Sequence, residues 1–182
     1  MVQKRAINRN CIRYGKLFIG KLSRLNKMIE LEEINIKEIE EFWKLHIAYL
    51  VDDGIIRDPE DIEYFKSDEY RNVIKAHMVR DKDKHHLIYF MKDGKRIGAA
   101  SYCIYKSEDG KCFILDYWIF EEYRNNNLGH LCFEKIEEVT KRDGATYYEI
   151  NSLKEDSIRF WKSLGFVENG IDEYGEKLFI KK

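Results

Sequence analysis

Proline occurs once among the 182 residues of this chain, and glycine only 11 times. A chain so poor in both residues has few of the breaks that are typical of flexible linkers, and its 44% of apolar residues suffice for one hydrophobic core. Long apolar runs are also absent, since none approaches the roughly eighteen residues of a membrane-spanning helix. These absences favour a single folded domain and give no indication of a membrane partner.

Paired cysteines are lacking too: the four cysteines are widely spaced, with no Cys-x-x-Cys motif. Cys103 and Cys112 lie in strand-like runs and Cys132 in a helical one, where cysteine serves as small apolar core filler. His77 and the His85-His86 pair have no third ligand at metal-binding spacing. The sequence therefore predicts neither a disulfide framework nor a metal site, and we expect a reducing cytoplasm as its compartment.

Neither sign of charge predominates, because 32 Lys and Arg balance 33 Asp and Glu. Overall charge therefore favours neither nucleic acid nor a membrane as partner. Acidic residues are nevertheless absent from residues 1–27, which carry eight Lys and Arg. We expect this extension to be a flexible basic tail, or to precede a true start at Met28. A mitochondrial presequence and a tether to nucleic acid or another acidic surface are the alternatives.

Residues 28–182 read as one domain with alternating helical and strand-like patterns. A short strand at 28–34 precedes an amphipathic helix over roughly 36–50, an acidic stretch, and a second helical region over 60–78. A meander of three strands follows, over residues 87–91, 96–105 and 112–120. Asp93-Gly94 forms the tight hairpin turn between the first two, since this dipeptide readily adopts positive φ angles.

The second half of the domain predicts a parallel crossover. Apolar residues repeat at helical spacing from Leu128 to Val139, Asp143-Gly144 ends that helix, and residues 145–152 read as the next strand. Ser152 with Glu155 matches a capping box that opens a further helix over 153–164, and the chain closes in a hairpin. The predicted fold is α/β, with a mixed, mostly antiparallel central sheet, one parallel β-α-β crossover and flanking helices.

A polar loop, residues 123–130, lies between the third strand of the meander and the crossover helix. The first N–H groups of a helix have no partner within it, and the helix dipole adds partial positive charge, so this position suits a phosphate group. Gly129 lacks a side chain where a ligand would approach closely, and the asparagines tolerate left-handed backbone angles.

This loop resembles the phosphate-binding loop of the GNAT superfamily of N-acetyltransferases, Arg/Gln-x-x-Gly-x-Gly/Ala. Arg124 and Gly129 match its ends, while Asn127 replaces the intervening Gly. Downstream, residues 157–166 resemble the family's Ala-Ile-x-Phe-Tyr-x-x-x-Gly-Phe, with Trp161 in place of the Tyr. Each motif alone has a structural alternative, a loop or a packed core, but their order and spacing match the family. The resemblance covers roughly residues 28–182.

The resemblance implies an enzyme that transfers the acetyl group of acetyl-CoA directly to a primary amine in a ternary complex. The cofactor would lie between the fourth strand, near 115–120, and the fifth, near 146–151, which splay apart. Backbone groups of the fourth strand would pair with its pantetheine arm and stabilise the developing oxyanion. The implied cofactor-binding residues are Trp118, Ile119, Phe120, Arg124, Asn125, Asn126, Asn127, Leu128, Gly129, His130 and Trp161.

A base must accept a proton from the amine, whose pKa is near ~10.4 if it is lysine-like. Asp116 is the only charge in the apolar run 112–120, and a buried carboxylate is usually paired or functional. GNAT enzymes often place an acidic residue here; a structural ion pair is the alternative. Glu149 on the next strand is a second candidate. Trp161 cannot supply a proton to the thiolate, so Tyr147, Tyr148 or Tyr174 would have to substitute, or water.

Acidic residues are frequent in the two regions that set acceptor specificity in this family: Asp52, Asp53, Asp58, Glu60, Asp61, Asp172 and Glu173. They favour a cationic acceptor, such as a polyamine, an aminoglycoside-like drug or a lysine side chain, with Asp52, Asp53 and Asp172 as its contacts. A solvated acidic face is the alternative. Asn127 and Trp161 also leave open a non-catalytic acyl-CoA-binding or regulatory module. Homodimers are common in the family, but nothing in the sequence locates an interface.

Overall fold

The computed structural model describes residues 29–182. A seven-stranded sheet in the order β1-β2-β3-β4-β5-β7-β6 runs through its middle. All neighbouring strands are antiparallel except β4 and β5, which are parallel, so the predicted mixed sheet with one crossover is confirmed. The strands are β1 (Ile29–Glu33), β2 (His85–Lys92), β3 (Lys95–Tyr105), β4 (Lys111–Ile119), β5 (Tyr147–Asn151), β6 (Val167–Ile171) and β7 (Lys177–Lys181). The predictions for residues 1–27 and Met28 lie outside the described residues.

Helices cover both faces of the sheet, and two buried clusters result. They are α1 (Ile39–Asp52), α2 (Pro59–Lys66), α3 (Asp68–Val79), α4 (Leu128–Arg142) and α5 (Glu155–Ser163). One cluster joins α4 and α5 to the sheet through residues such as Phe133, Trp161 and Phe90. The other joins α1 and α3 to the opposite face through residues such as Trp43 and Tyr89. The alternation of Tyr89 and Phe90 between the two clusters follows from the period of two along a strand.

The helical region predicted over 60–78 is divided at Ser67. This residue has an extended backbone, with φ −67° and ψ 153°, and its side chain accepts a hydrogen bond from the Tyr70 N–H. It therefore ends α2 and caps α3, as serine commonly does at a helix N-terminus. The first helix also begins later than predicted, at Ile39, and continues to Asp52.

The predicted capping box of Ser152 and Glu155 is wrong. Helix α5 begins at Glu155 after Lys154, and no side chain caps its N-terminus. Ser152 Oγ instead donates to Ser157 Oγ, 2.8 Å away. By contrast, the Asp93-Gly94 hairpin turn is confirmed, with φ angles of 51° and 73°.

Cys103, Cys112 and Cys132 are buried free thiols, consistent with their predicted packing role. Residues 29–182 contain no cluster of His, Cys, Asp and Glu that could hold a metal ion. In the same part of the chain no helix has both the length and the apolar character needed to cross a membrane.

Two irregularities of β4, a bulge and an early end of its pairing with β5, open a cleft on the β5 side of the strand. Ser101 pairs with Asp116, but the next residue of β3, Tyr102, pairs with Ile114, so Leu115 is an extra, bulged residue. On the other side, β5 pairs with β4 only as far as Ile114, while β4 continues to Ile119. Beyond Ile114 no strand among residues 29–182 pairs with the edge of β4 that would face β5, and the two strands diverge there, as the family resemblance implies.

Candidate active site

A cleft of about 1540 Å³ lies where β4 and β5 diverge. Its walls include Asp116 and Trp118 from β4, Gly129 from the start of α4, Trp161 from α5 and Tyr49 from the end of α1. Pockets for a drug-sized ligand commonly measure about 300–1,000 Å³, so this cleft is larger than a single small ligand needs.

The loop before α4 and the first residues of that helix carry a row of backbone donors without a backbone partner. Among the described residues, none of the N–H groups from Asn125 to His130 donates a backbone hydrogen bond; the Leu131 N–H, bonded to the Asn127 carbonyl at 3.4 Å, is the first that does. Successive free N–H groups at the N-terminus of a helix, here one of 15 residues, are an arrangement that attracts anions.

Two asparagines give this loop its shape. Asn125 and Asn127 have φ angles of 62° and 59°, in the left-handed region. Asparagine and aspartate are among the non-glycine residues that tolerate that region best. Asn127, which replaces the loop's usual Gly, therefore adopts a backbone conformation that glycine also adopts freely.

Gly129 packs closely against the side chain of Phe160. A Cβ atom at this position would lie 3.0 Å from Phe160 Cε2 and 3.3 Å from Phe160 Cζ. Close approach of a ligand to Gly129 stays a prediction; among the described residues the nearest neighbour of such a Cβ atom is the ring of Phe160. His130, the next residue, attaches α4 to α5 by a 2.8 Å hydrogen bond between its Nε2 and Ser163 Oγ.

The Arg124 side chain is engaged on both sides of the cleft. Its Nε donates to the Ile119 carbonyl at 2.8 Å, and its two terminal nitrogens donate to the two carboxylate oxygens of Asp53 at 3.1 and 2.8 Å. Asp53 follows directly after α1. This predicted acceptor contact is therefore already paired, while Asp52, its exposed neighbour, has no ion-pair partner among the described residues.

Asp116 is contacted by residues of two other elements, β3 and α1. Ser101 Oγ on β3 donates to its Oδ2 at 2.8 Å, and His46 Nε2 on α1 lies 3.3 Å from its Oδ1. Burial alone would raise the pKa of Asp116, but its interaction with His46 and the hydrogen bond from Ser101 outweigh that effect and lower the pKa. The carboxyl group is therefore ionised at neutral pH. The contacts with Ser101 and His46 give the carboxylate structural partners, and its place in the cleft leaves a functional role open to test.

His46 is a site residue that the sequence analysis missed. It is 1% exposed, and neither ring nitrogen has an aligned hydrogen-bond partner among residues 29–182. Its ring lies between those of Phe42, at 5.5 Å, and Tyr70, at 6.4 Å. The sequence feature that could have identified His46 is its position on the apolar face of α1, three residues after Trp43, where a polar residue is unusual.

The cleft wall beside Asp116 is aromatic. Tyr49 stacks on Trp118 with ring centroids 4.5 Å apart and an interplanar angle of 6°. Burial, together with the charges of Asp116 and Asp53, raises the pKa of Tyr49, so its phenol stays protonated. Tyr117 also lines the cleft, but its hydroxyl donates to the Gly129 carbonyl at 2.5 Å. Tyr49 and Tyr117, like His46, carry no sequence motif that would mark them.

Several predicted cofactor contacts have partners within the protein. The Phe120 N–H donates to the Ile97 carbonyl at 3.0 Å, and the Ile119 carbonyl accepts from Arg124. Asn126 Nδ2 donates to the Arg124 carbonyl. Trp161 lines the cleft but is only 5% exposed, because it packs against other aromatic rings: Tyr117, Phe133, Phe160 and Phe166. The cleft brings together, of the cofactor residues named above, Trp118, Ile119, Arg124, Asn125, Asn127, Leu128, Gly129, His130 and Trp161.

Other predicted residues lie outside the cleft. Glu149 is buried, 3.3 Å from Lys111 Nζ, and Tyr174 is 83% exposed in the turn between β6 and β7. The carboxylate of Asp172 accepts hydrogen bonds from the N–H groups of that turn and from Asn151 Nδ2, so it orders the turn. The hydroxyls of Tyr147 and Tyr148 contact Asp109 and Thr140, likewise away from the cleft. Asp116 is thus the one predicted catalytic residue that lines it.

Solved structures share this fold. PaiA N-acetyltransferase from Thermoplasma acidophilum, in complex with coenzyme A, is 19% identical with a TM-score of 0.65, over 85% of this chain and 98% of that one. The Salmonella typhimurium acetyl transferase that modifies the N-terminal serine of ribosomal protein L7/L12 is 11% identical, with a TM-score of 0.59 over 85% and 94%. RimL, a ribosomal L7/L12 alpha-N-protein acetyltransferase in complex with coenzyme A, is 13% identical, with a TM-score of 0.64 over 85% and 93%.

A comparison with curated protein sequences gave no match. The model of the acetyltransferase (GNAT) family, by contrast, matches residues 41–166. This range extends from α1 through the phosphate-binding type of loop to the end of the second motif, and it contains β4 and β5 with the cleft between them. The chain therefore belongs to the acetyltransferase (GNAT) family.

Proposed function

We propose that this protein is an acetyl-CoA-dependent N-acetyltransferase whose acceptor is the primary amine of a cationic molecule or protein. One observation carries the proposal: Asn125 and residues 127–130, whose N–H groups have no backbone partner among the described residues, line the same cleft as Asp116. An anion site and a negatively charged group in one cleft suit a phosphorylated donor and a cationic acceptor.

The residues of the cleft fit coenzyme A. The N–H groups of residues 125–130 would hold its pyrophosphate, and the edge of β4 beyond Ile114, which lacks a strand partner, would pair with its pantetheine arm. Bound acetyl-CoA supplies an acyl thioester that an amine can attack. Family relatives PaiA and RimL bind coenzyme A, which supports the same cofactor here.

Asp116 would attract and orient the ammonium form of the acceptor. Its pKa is lowered, whereas a lysine-like ammonium has a pKa near ~10.4, so direct transfer of the proton to this carboxylate would be strongly unfavourable. We therefore assign Asp116 to binding the ammonium and to orienting a water molecule that carries the proton to solvent. Ser101 and His46 hold the carboxylate in place for this role.

The acceptor end of the cleft would bind a cation. Asp52 and Glu176 line the cleft together with Asp116, and the stacked pair of Tyr49 and Trp118 would offer aromatic faces to a positive charge. Arg57 also lines the cleft. The acceptor would therefore carry its positive charge on the amine near Asp116, and the part of it near Arg57 would be either apolar or acidic. The relative that modifies the N-terminal serine of L7/L12 acts on an amine, which supports this class of acceptor.

The thiolate would leave without a protein acid. Of the tyrosines that line the cleft, Tyr117 is bonded to Gly129 and burial raises the pKa of Tyr49. A thiol pKa near ~8.5 makes the thiolate a tolerable leaving group, so water can protonate it afterwards. Trp161 at the position of the usual tyrosine is the observation that favours the second candidate, a non-catalytic acyl-CoA-binding module.

A panel of amines tests the proposal. A polyamine, an aminoglycoside, a lysine-containing peptide and a peptide with a free N-terminus are each incubated with the protein and acetyl-CoA. Thiol release and the mass of one added acetyl group on the amine are then measured. We expect both signals with at least one acceptor. Tight binding of acetyl-CoA without acetylation of any amine would support the binding module instead.

A further inference from the structure

The contact between Arg124 and Asp53 joins two segments that are 71 residues apart in sequence. Asp53 follows α1 at the acceptor end of the cleft, and Arg124 begins the loop whose N–H groups form the anion site. The contact is bidentate, with both carboxylate oxygens within 3.1 Å of guanidinium nitrogens. Such paired hydrogen bonds fix the relative orientation of the two groups as well as their distance.

The loop needs an anchor at this end. Asn125, Asn126 and Asn127 are exposed, and two of them have left-handed backbone angles, which are intrinsically costly. At its far end the loop is continuous with α4, which is packed against the sheet. At its near end the loop is held by the Arg124 side chain, which donates hydrogen bonds to the Ile119 carbonyl and to the Asp53 carboxylate.

The guanidinium also keeps donors for a ligand. Arginine has five N–H groups, and three are used by Ile119 and Asp53, so two remain free to approach a phosphate oxygen. We propose that Asp53 is a positioning residue for the cofactor, which holds Arg124 and the loop in the conformation that binds the pyrophosphate of coenzyme A. It acts on cofactor affinity through Arg124, and it does not contact the acceptor. This inference rests on the proposed function.

The charge of Asp53 has a second, opposite effect. A negative charge near an anion site repels phosphate, so its removal alone would strengthen binding, and this effect must be separated from the loss of the anchor. Asp52 offers the matched control, because it is adjacent, lines the same cleft and has no ion-pair partner among the described residues. The variant Asp52→Asn removes the same charge and leaves Arg124 held.

The test is a titration with coenzyme A, without acceptor, of the wild type, Asp52→Asn, Asp53→Asn and Asp53→Glu. We expect Asp53→Asn to bind coenzyme A about three- to tenfold more weakly than Asp52→Asn, the range for a half-exposed bidentate pair. Asp53→Glu should recover part of the loss. In an Arg124→Gln background, Asp53→Asn should have no further effect, because the residue on which Asp53 acts is gone.

Two outcomes would overturn the inference while leaving the proposed function intact. One is equal or tighter binding of coenzyme A by Asp53→Asn than by Asp52→Asn. The other is an undiminished effect of Asp53→Asn in the Arg124→Gln background. Failure of the wild type to bind coenzyme A would instead remove the proposed function and the inference with it. Urea unfolding of each variant shows whether a loss of affinity accompanies a loss of folding.

Discussion

Ser101 Oγ and Asp116 Oδ2 lie 2.8 Å apart across the last regular pair of β3 and β4 before the bulge at Leu115. The bulge changes which face of the sheet the following side chains occupy, and the divergence of β5 exposes that part of β4. The hydrogen bond therefore fixes a carboxylate at the point where the sheet opens. A charged residue in an otherwise apolar strand is stable here because its oxygens are partnered by Ser101 and His46.

Replacing Asp116 tests its proposed role. We expect Asp116→Asn to lower kcat/KM for the amine about a hundredfold or more, because the neutral amide neither attracts an ammonium nor orients water for its proton. The amide oxygen can still accept from Ser101, so folding and coenzyme A affinity should change little. Steady-state kinetics and a coenzyme A titration measure both effects.

Glu149→Gln is the control for this experiment, since Glu149 lies on the neighbouring strand but outside the cleft. We expect kcat/KM within about twofold of the wild type when the protein is folded. A hundredfold loss in Glu149→Gln together with full activity in Asp116→Asn would reverse the assignment.

A pair of substitutions at Asn127 tests the conformation of the loop. We expect Asn127→Ala to lower the free energy of unfolding by about 1 kcal/mol, because alanine at a φ of 59° is strained, and to weaken coenzyme A binding. Asn127→Gly should keep stability within about 0.5 kcal/mol and preserve binding, because glycine adopts this region freely. Urea unfolding and coenzyme A titration compare the two variants. Equal behaviour of Ala and Gly would show that the left-handed conformation is not what the loop requires.

Local patterns predicted much of this fold. Helical spacing located α1 and α4, alternation located the meander, and Asp93-Gly94 located its turn. The divergence of β4 and β5 followed from the resemblance. The alternation of side chains along a strand also places Asp116 and Glu149 in β4 and β5, but it does not show where the two strands diverge. The sequence therefore could not show that Asp116 lines the cleft while Glu149 is paired with Lys111.

Local sequence patterns could not predict the contacts between segments that are distant in sequence. Asp53 and Arg124 belong to different motifs, and nothing local to either residue specifies the other. His46 reads as one polar residue on an apolar helix face, and only the packing of α1 on the sheet brings it to Asp116. Trp161 illustrates the reverse case: its motif predicts a cofactor contact, while its aromatic neighbours make it mainly a core residue.

The stability of the protein should depend on pH through His85. This residue is 6% exposed, and burial lowers its pKa to about 4, although the charge of Asp116 acts in the opposite direction. Between pH 4 and 6.5 the unfolded chain therefore binds a proton at this histidine that the folded chain does not. Stability should rise with pH across this window, by up to about 3 kcal/mol, and the contribution should be complete above 6.5.

Urea unfolding at several pH values measures this dependence. We expect His85→Gln to flatten the rise between pH 4 and 6.5, because its side chain does not titrate. His77→Gln is the matched control: His77 is only partly buried, its pKa is lowered less strongly, and most of the rise should remain in that variant. An unchanged slope in His85→Gln would mean that the histidine is protonated in the folded protein, with its charge balanced by Asp116.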